Sequence, residues 1–346
     1  MPPNPPLLLG CLAVCGYFGR IQLDGWRRVT GARIQAVCDL DGERAASCAA
    51  EFGARPYAEL ARMLDAEQPH FLDIVTRPAT HLSLVRLAAE RKLAVLCQKP
   101  MAETWDDAVE MAAVARRAGI RLMMNENWRW QPWYRRIRAL LAEGAIGQPI
   151  FYRFHHRRRD GLGETPYSNQ PYFRQMPRLI LFETLVHFLD TARFLFGEIE
   201  DIICQTARIN PAIAGEDLAV MQVRHSQGPR GVIDGHRFSE PDQEGAAMCD
   251  ARIESVEGVI SLDGAGRARL GGECVFDPAG IPGYKGDSCR ATQQHFADCL
   301  RSGEPFETGA EEYLRTVAAV EAAYRSAREN RLCRMSEWRI GAGRDW

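Results

Sequence analysis

Within the first 125 residues, short apolar runs alternate with amphipathic stretches, and no other feature restricts the fold as strongly. The runs at 7–14, 33–38, 71–75, 94–97 and 121–124 read as strands. Between them, 41–52, 80–91 and 104–118 carry the spacing of amphipathic helices; the last opens with Thr104 and Asp107 as a capping box and closes at Gly119. Strands that are nearly all apolar cannot leave a face in water. Helices must cover both sides, which is the construction of a parallel, Rossmann-type α/β sheet.

After Asn125 the pattern changes. A helix is expected from Trp133, just after Pro132, to Gly144, then an Arg- and Gly-rich loop over 157–171. A strongly apolar helix should run from about Leu179 to Phe196 and stop at Gly197. The segments 202–209, 218–225, 231–238 and 247–256 follow one another with no helix between them, as in an antiparallel sheet. Helices return at 292–300 and 311–329, the second opened by a Thr308/Glu311 capping box. The expected fold is an N-terminal α/β Rossmann domain over residues 1–124. An α+β C-terminal domain with a large, mostly antiparallel open sheet should follow over 125–346.

The formal net charge of −2 on 346 residues carries no signature of a nucleic-acid or membrane partner. The 11 cysteines are odd in number and form no C-x-x-C pair, which favours a reducing cytoplasm over a disulfide framework or a metal site. The opening L-A-V-C at Cys15 looks superficially like an export signal. However, no Lys or Arg precedes Arg20, and the apolar run is far shorter than the ~20 residues a bilayer requires.

The same opening can be a phosphate turn. In a dinucleotide site the turn after the first strand reads G-x-G-x-x-G; here the register is Val14-Cys15-Gly16-Tyr17-Phe18-Gly19, with valine at the first glycine. A β-branched residue is poor where φ must be positive, so the turn should be adjusted or cofactor binding weakened. Asp39, twenty residues beyond Gly19, stands where an acid can bond the ribose hydroxyls and repel a 2′-phosphate. Leu40 and Asp41 supply no nearby Arg, so NAD is expected over NADP. The competing role for Asp39 is a cap on the following helix.

Two further features are candidates for chemistry. Lys99 ends an apolar strand and precedes Pro100, which keeps it out of helical geometry at the ligand-binding edge of the sheet; the alternative is an ordinary surface lysine. Glu183, His187 and Asp190 fall at i, i+4 and i+7 on one face of an apolar helix. They form either a core histidine satisfied by a carboxylate or a general acid/base oriented by one.

Taken together, these residues resemble the Gfo/Idh/MocA family of NAD(P)-dependent oxidoreductases. The resemblance rests on the Gly16/Gly19 turn, Asp39, Thr76-Arg77-Pro78-Ala79-Thr80-His81, Gln98-Lys99-Pro100, Glu183 with His187, and Gly303-Glu304-Pro305 before a long helix with Tyr324 and Ser326. It implies hydride transfer between a nicotinamide cofactor and a hydroxyl carbon of a sugar, sugar acid or cyclitol. Lys99, His187 and Glu183 would be catalytic. Gly16, Tyr17, Phe18, Gly19, Asp39, Thr76, Pro78, His81 and Gln98 would border the cofactor. Gln98 and Glu183 replace the family's usual Glu and Asp. The resemblance also implies a homodimer or homotetramer built on the open sheet face. Related functions on this fold are a redox glycosidase using bound NAD and a non-catalytic NAD-binding regulator.

Ten Arg against three acids lie between Trp128 and Arg178, with Arg129, Arg157, Arg158, Arg159 and Arg174 in or beside segments expected at the substrate. Together with Trp130 and Tyr172 they suit a polyhydroxylated substrate or one bearing an acidic group. Alternatively they are ion-paired surface groups.

Overall fold

The computed structural model describes residues 7–239 and 247–338, and the chain divides into two compact units. One runs to Asn127 and takes in Asp287–Leu314; the other holds Trp128–Gly286 and the described residues from Arg315 onward. Beside the 124/125 boundary expected from sequence, the feature to note is the return of 287–314 to the first unit.

The first unit carries strands β1 (Leu8–Ala13), β2 (Ala32–Cys38), β3 (Arg55–Tyr57), β4 (Phe71–Ile74), β5 (Ala94–Gln98) and β6 (Leu122–Asn125). Helices α1 (Tyr17–Trp26), α2 (Gly42–Phe52), α3 (Leu60–Glu67), α4 (Pro78–Glu90) and α5 (Trp105–Ala118) alternate with them. All six strands are parallel, in the order β3-β2-β1-β4-β5-β6. The order reverses between β1 and β4, which places a topological switch point at their C-terminal ends, where open α/β sheets take ligands. Neither β3 nor α3 was expected. β3 has three residues, one of them proline and two exposed, so no apolar run marks it.

A Cβ on Gly10 would lie 2.1 Å from the Phe71 ring, so the glycine in β1 lets that ring cross the strand. Phe71 in turn stacks on Trp26 (4.9 Å between centroids) and meets Phe296 edge-on at 5.4 Å. Beside them the Trp26 indole N–H donates to Asp73 Oδ2 at 2.7 Å. Thr104 caps α5 as expected, its hydroxyl accepting the Asp107 N–H at 3.1 Å, and Gly119 ends it at φ +66°. Thr308 does not form the expected capping box. It donates instead to the Met124 carbonyl at 2.6 Å, and its own carbonyl takes the Met124 N–H, because β6 is an edge strand whose backbone groups need partners.

In the second unit, α6 (Pro132–Ala142) leads to β7 (Phe151–Arg157) and α7 (Val186–Phe196). Next come β8 (Ile199–Ala207), β9 (Leu218–His225), β10 (Arg230–His236), β11 (Asp250–Glu254), β12 (Val259–Leu262), β13 (Ala268–Leu270) and β14 (Glu273–Phe276). The chain order is completed by α8 (Ser288–Ser302), which belongs to the first unit, by α9 (Ala310–Glu329), whose residues from Arg315 onward belong to the second, and by the short β15 (Cys333–Arg334). The nine-stranded sheet runs β14-β13-β12-β11-β7-β10-β9-β8-β15. It is antiparallel except where β10 pairs β7 in parallel. β7 was not expected: its sequence, FYRFHHR, looks like the start of a charged loop. It alternates cleanly all the same, with Tyr152, Phe154 and His156 inward against Phe188 of α7 and Arg153, His155 and Arg157 on the other face.

Burial pushes the Asp73 carboxyl up to about 7. A carboxyl whose pKa is raised on folding contributes stability that is fully present below its unfolded value near 4, and that stability is lost as pH rises through about 7. Asp73→Asn, which keeps an acceptor for Trp26, should therefore gain Tm relative to wild type as pH rises from about 4 to about 7 and hold that gain at higher pH. A Tm difference that does not change with pH would show that Asp73 carries no such linkage.

Candidate active site

Three residues, Val14-Cys15-Gly16, separate β1 from α1, and Val14 has φ +81°. The turn is therefore not adjusted to suit valine. It keeps the conformation a glycine would adopt, at a cost of ~1–3 kcal/mol. Two bonds hold it there: the Val14 N–H donates to the Cys38 carbonyl at 2.8 Å, and the Cys15 N–H to Asp39 Oδ2 at 3.0 Å. Gly16 caps α1 without a side chain, and the first turn has no acid, so its N–H groups suit an anion. A Cβ on Gly19 would stand 2.1 Å from the Val14 carbonyl oxygen, so only glycine seats α1 this close to the turn. A backbone cradle of this kind at the switch point fits a dinucleotide pyrophosphate.

Asp39 directly follows β2 and is 4% exposed. Its second oxygen accepts the Asp41 N–H at 3.0 Å, while the cap of α2 is Asp41, which takes the Arg44 N–H. The capping role considered for Asp39 thus falls to its neighbour. Arg44, one helical turn on, reaches Asp41 at 3.0 Å and Asp39 at 3.6 Å. The expectation of no nearby arginine is corrected: the helix brings back a residue that adjacent sequence did not show.

Thr76 follows β4, and Pro78 is the first residue of α4. The buried His81 ring lies between two carbonyls, Met101 O at 3.0 Å from Nδ1 and Thr76 O at 3.2 Å from Nε2. Burial lowers its pKa, and the neutral ring, with a single N–H, can donate to only one of the two carbonyls. Gln98 Oε1 accepts the Lys99 N–H at 3.0 Å, while its buried Nε2 has no hydrogen-bond partner among the described residues. The bond from Lys99 to Pro100 is cis. Tyr17 is exposed at the head of α1, and Phe18 packs partly buried against the core.

In the second unit the expected single helix over 179–196 is composite. A π-helical stretch, Ile180–Leu185, precedes α7. Glu216, which sequence reasoning missed, satisfies its start: Oε1 accepts the Leu179 and Leu181 N–H groups, both at 3.1 Å, and the Tyr324 hydroxyl at 2.5 Å. The wider π turn takes Glu183 off the α-helical phase. Glu183 accepts the Thr184 hydroxyl at 2.7 Å and lies 3.6 Å from Arg237. His187 stacks on Trp128, centroids 4.2 Å apart and rings 20° from parallel. Asp190, fully buried, holds Arg129 in a two-pronged pair with both bonds at 2.7 Å.

The arginines expected at the substrate are largely committed elsewhere. Arg129 is spent on Asp190. Arg157 bonds Asp234 at 2.5 Å on the sheet face opposite α7, so strand alternation takes it away from His187. Arg158 pairs Asp160 at 3.3 Å, and Arg174 donates to the Pro171 carbonyl at 3.2 Å. The Trp130 ring is covered by the Arg135 guanidinium at 3.6 Å, and the Tyr172 hydroxyl accepts from Gln170 at 3.0 Å. Arg237, absent from the expected site, lies 3.6 Å from Glu183. Its only sequence signal is the inward parity of β10 carried one residue past the strand end.

Residues 12–126 match the oxidoreductase family model described as an NAD-binding Rossmann fold, and 134–255 match the Gfo/Idh/MocA C-terminal domain. A D-apiose dehydrogenase of Paraburkholderia graminis is 37% identical over 93% of this chain and 88% of its own length. Another, from Rhizobium rhizogenes, is 34% identical over 95% and 97%. The solved structure of an oxidoreductase from Agrobacterium radiobacter, in complex with NAD+, L-tartaric acid and magnesium, superimposes with a TM-score of 0.87. It is 33% identical and covers 95% of this chain and 99% of that one. Fold and turn thus define an oxidoreductase with an NAD-binding Rossmann domain. The chain belongs to the Gfo/Idh/MocA family.

Because Val14 already holds the glycine conformation, its strain burdens free and cofactor-bound protein alike. Val14→Gly should raise stability by about 1 kcal/mol, the relieved strain less the added chain entropy. The NAD+ dissociation constant should stay within about threefold, since the turn geometry is unchanged. Thermal melts with a fluorescence titration check both. A large gain in affinity would mean that the valine obstructs the cofactor.

Proposed function

We propose that this NAD-dependent dehydrogenase oxidises a hydroxyl carbon of a small neutral sugar, with D-apiose the first compound to test. The observation that carries this reading is the likeness, over 93% of the chain, to a D-apiose dehydrogenase. The commitment of Arg129, Arg157 and Arg158 to carboxylates supports a substrate without its own acidic group. A sugar acid is the second reading, favoured by the L-tartaric acid in the Agrobacterium radiobacter structure.

Gly16, Gly19 and the first turn of α1 would hold the pyrophosphate, and Asp39 the ribose hydroxyls. Thr76, Pro78, His81 and Gln98, with Tyr17 and Phe18, would border the rest of the cofactor. Bound nicotinamide supplies the hydride acceptor. His187, held flat on Trp128, would take the proton from the substrate hydroxyl during oxidation. Lys99 would hold that oxygen and stabilise its developing negative charge. Glu183 would orient the imidazole and favour its charged form.

We assign the open face of the nine-stranded sheet, where Ile203 and Val220 are exposed, to contact with further copies in a homodimer or homotetramer. All eleven cysteines are free thiols, ten of them buried, which supports a reducing, cytoplasmic setting. No helix among the described residues is long and apolar enough to cross a membrane.

NADH formation should be measured with D-apiose, other pentoses, inositols and aldonic acids. Activity on the neutral sugars and little on the acids supports the reading; the reverse replaces it with the sugar-acid one. Lys99→Met and His187→Ala should each lower kcat at least ~100-fold while NAD+ binding stays within a few-fold. Normal turnover in either variant removes that residue from the mechanism.

A further inference from the structure

Arg237, the residue after β10, is buried and spans two segments that matter for the reaction. Its Nε and Nη2 grip Asp160 in a two-pronged pair at 2.9 and 2.5 Å. Its Nη1 stands 3.4 Å from the Thr184 hydroxyl and 3.6 Å from Glu183 Oε2. Asp160 belongs to the loop between β7 and the π-helical stretch. The same loop lays Tyr167 and Phe173 against the guanidinium, centroids 4.8 and 5.3 Å away, and donates the Gly161 N–H to the Arg237 carbonyl at 2.8 Å. Tyr172 and Arg174 lie on this loop.

We propose that Arg237 is a positioning residue of the reaction: one guanidinium holds Glu183 as a carboxylate near the acid/base helix and docks the loop that carries Tyr172 and Arg174. Loop placement and proton affinity at His187 are thereby linked. A fixed cation 3.6 Å from Glu183 keeps it ionised and offsets part of its pull on the imidazole. The loop docks through planar contacts, bidentate and stacked, which a lysine could not reproduce.

Among the described residues, several other charged and titratable groups lie around the guanidinium. Asp160 is held below its usual carboxylate range, chiefly by the Arg237 contact working against burial. His156, on β7, is pushed down to about 3 by burial and by Arg237, so it stays neutral. Arg158 pairs Asp160, and Asp217 and Glu183 lie within electrostatic reach of Tyr167. Along α7, His187 has the Arg129–Asp190 pair one turn away.

The proposal rests on the acid/base reading of His187 and Glu183, and two substrate-free measurements on the full chain test it separately. The first is the His187 pKa from an NMR titration of its ring C–H, assigned with His187→Ala. The second is chymotrypsin cleavage at the loop aromatics. Arg237→Met should raise the His187 pKa by about half to one unit, because losing the cation favours the protonated ring. It should also speed loop cleavage roughly tenfold. Arg237→Lys keeps the charge, so the pKa should stay within about 0.3 unit while cleavage still accelerates. Asp160→Asn, at a side chain 32% exposed, serves if the methionine variant does not fold: cleavage should accelerate and the pKa should not rise. An unchanged His187 pKa in Arg237→Met, or wild-type cleavage in Arg237→Lys and Asp160→Asn, overturns the proposal. Undiminished turnover of His187→Ala would instead sink the acid/base reading and leave these two results standing.

Discussion

A guanidinium taken out of water must be matched by a carboxylate at close range, and the second unit is organised by three such matches. Arg129 meets Asp190, Arg193 meets Glu198, and Arg237 meets Asp160. The first two tie neighbours to the helix that carries His187, and the third ties the long loop to the end of β10. Arg129 anchors the segment before α6, Glu198 the start of β8, and Asp160 the long loop. Thr316 on α9 joins the first two pairs, its hydroxyl accepting from Arg193 and donating to Asp190. Removing one member of a buried pair leaves the other charge uncompensated, at a cost of ~3–5 kcal/mol. The position of the imidazole is therefore set by ion pairs as much as by the apolar packing of α7.

In the first unit the comparable constraint is backbone conformation. Val14 carries a strained φ because its flanking amides are bonded, one to β2 and one to Asp39. Asp39 thus has two functions in one carboxylate: it closes the turn and presents the acid at the adenosine end of the proposed cofactor site. Valine at a glycine position changes the energy of this turn without changing its shape. Cofactor affinity depends on the shape, and the strain falls on folding stability instead.

Much of the first unit was legible because fully buried parallel strands write themselves as apolar runs, and caps such as Thr104 and Gly119 mark helix ends locally. β3 escaped because a short exposed edge strand has no such run. β7 escaped because its inward residues are aromatic or histidine and its outward ones arginine, so alternation was hidden under charge. Glu183 and His187 were found from their spacing, yet their partners were not: a π turn cannot be read from a 3.6-residue pattern, and Arg237 and Glu216 come from distant strands and loops. The arginine excess after Trp128 pointed toward an anion. Its matching carboxylates, Asp190, Asp234 and Asp160, were present in the sequence but scattered across it, and pairing is a property of the fold.

Those matches bear directly on the substrate. An arginine that already bonds a carboxylate on both edges of its fork, as Arg129 and Arg237 do, has little left for a second anion, so an acidic sugar held by either would have to displace a protein carboxylate. A hydroxyl-rich neutral sugar faces no such competition. It can donate to carboxylates and carbonyls and accept from N–H groups left at the margins of these pairs, at ~0.5–1.5 kcal/mol per bond. Selectivity built this way comes from the number and direction of hydroxyls rather than from charge. A loop that docks through the same guanidinium that holds Glu183 gives the protein a means of tying that selectivity to proton transfer.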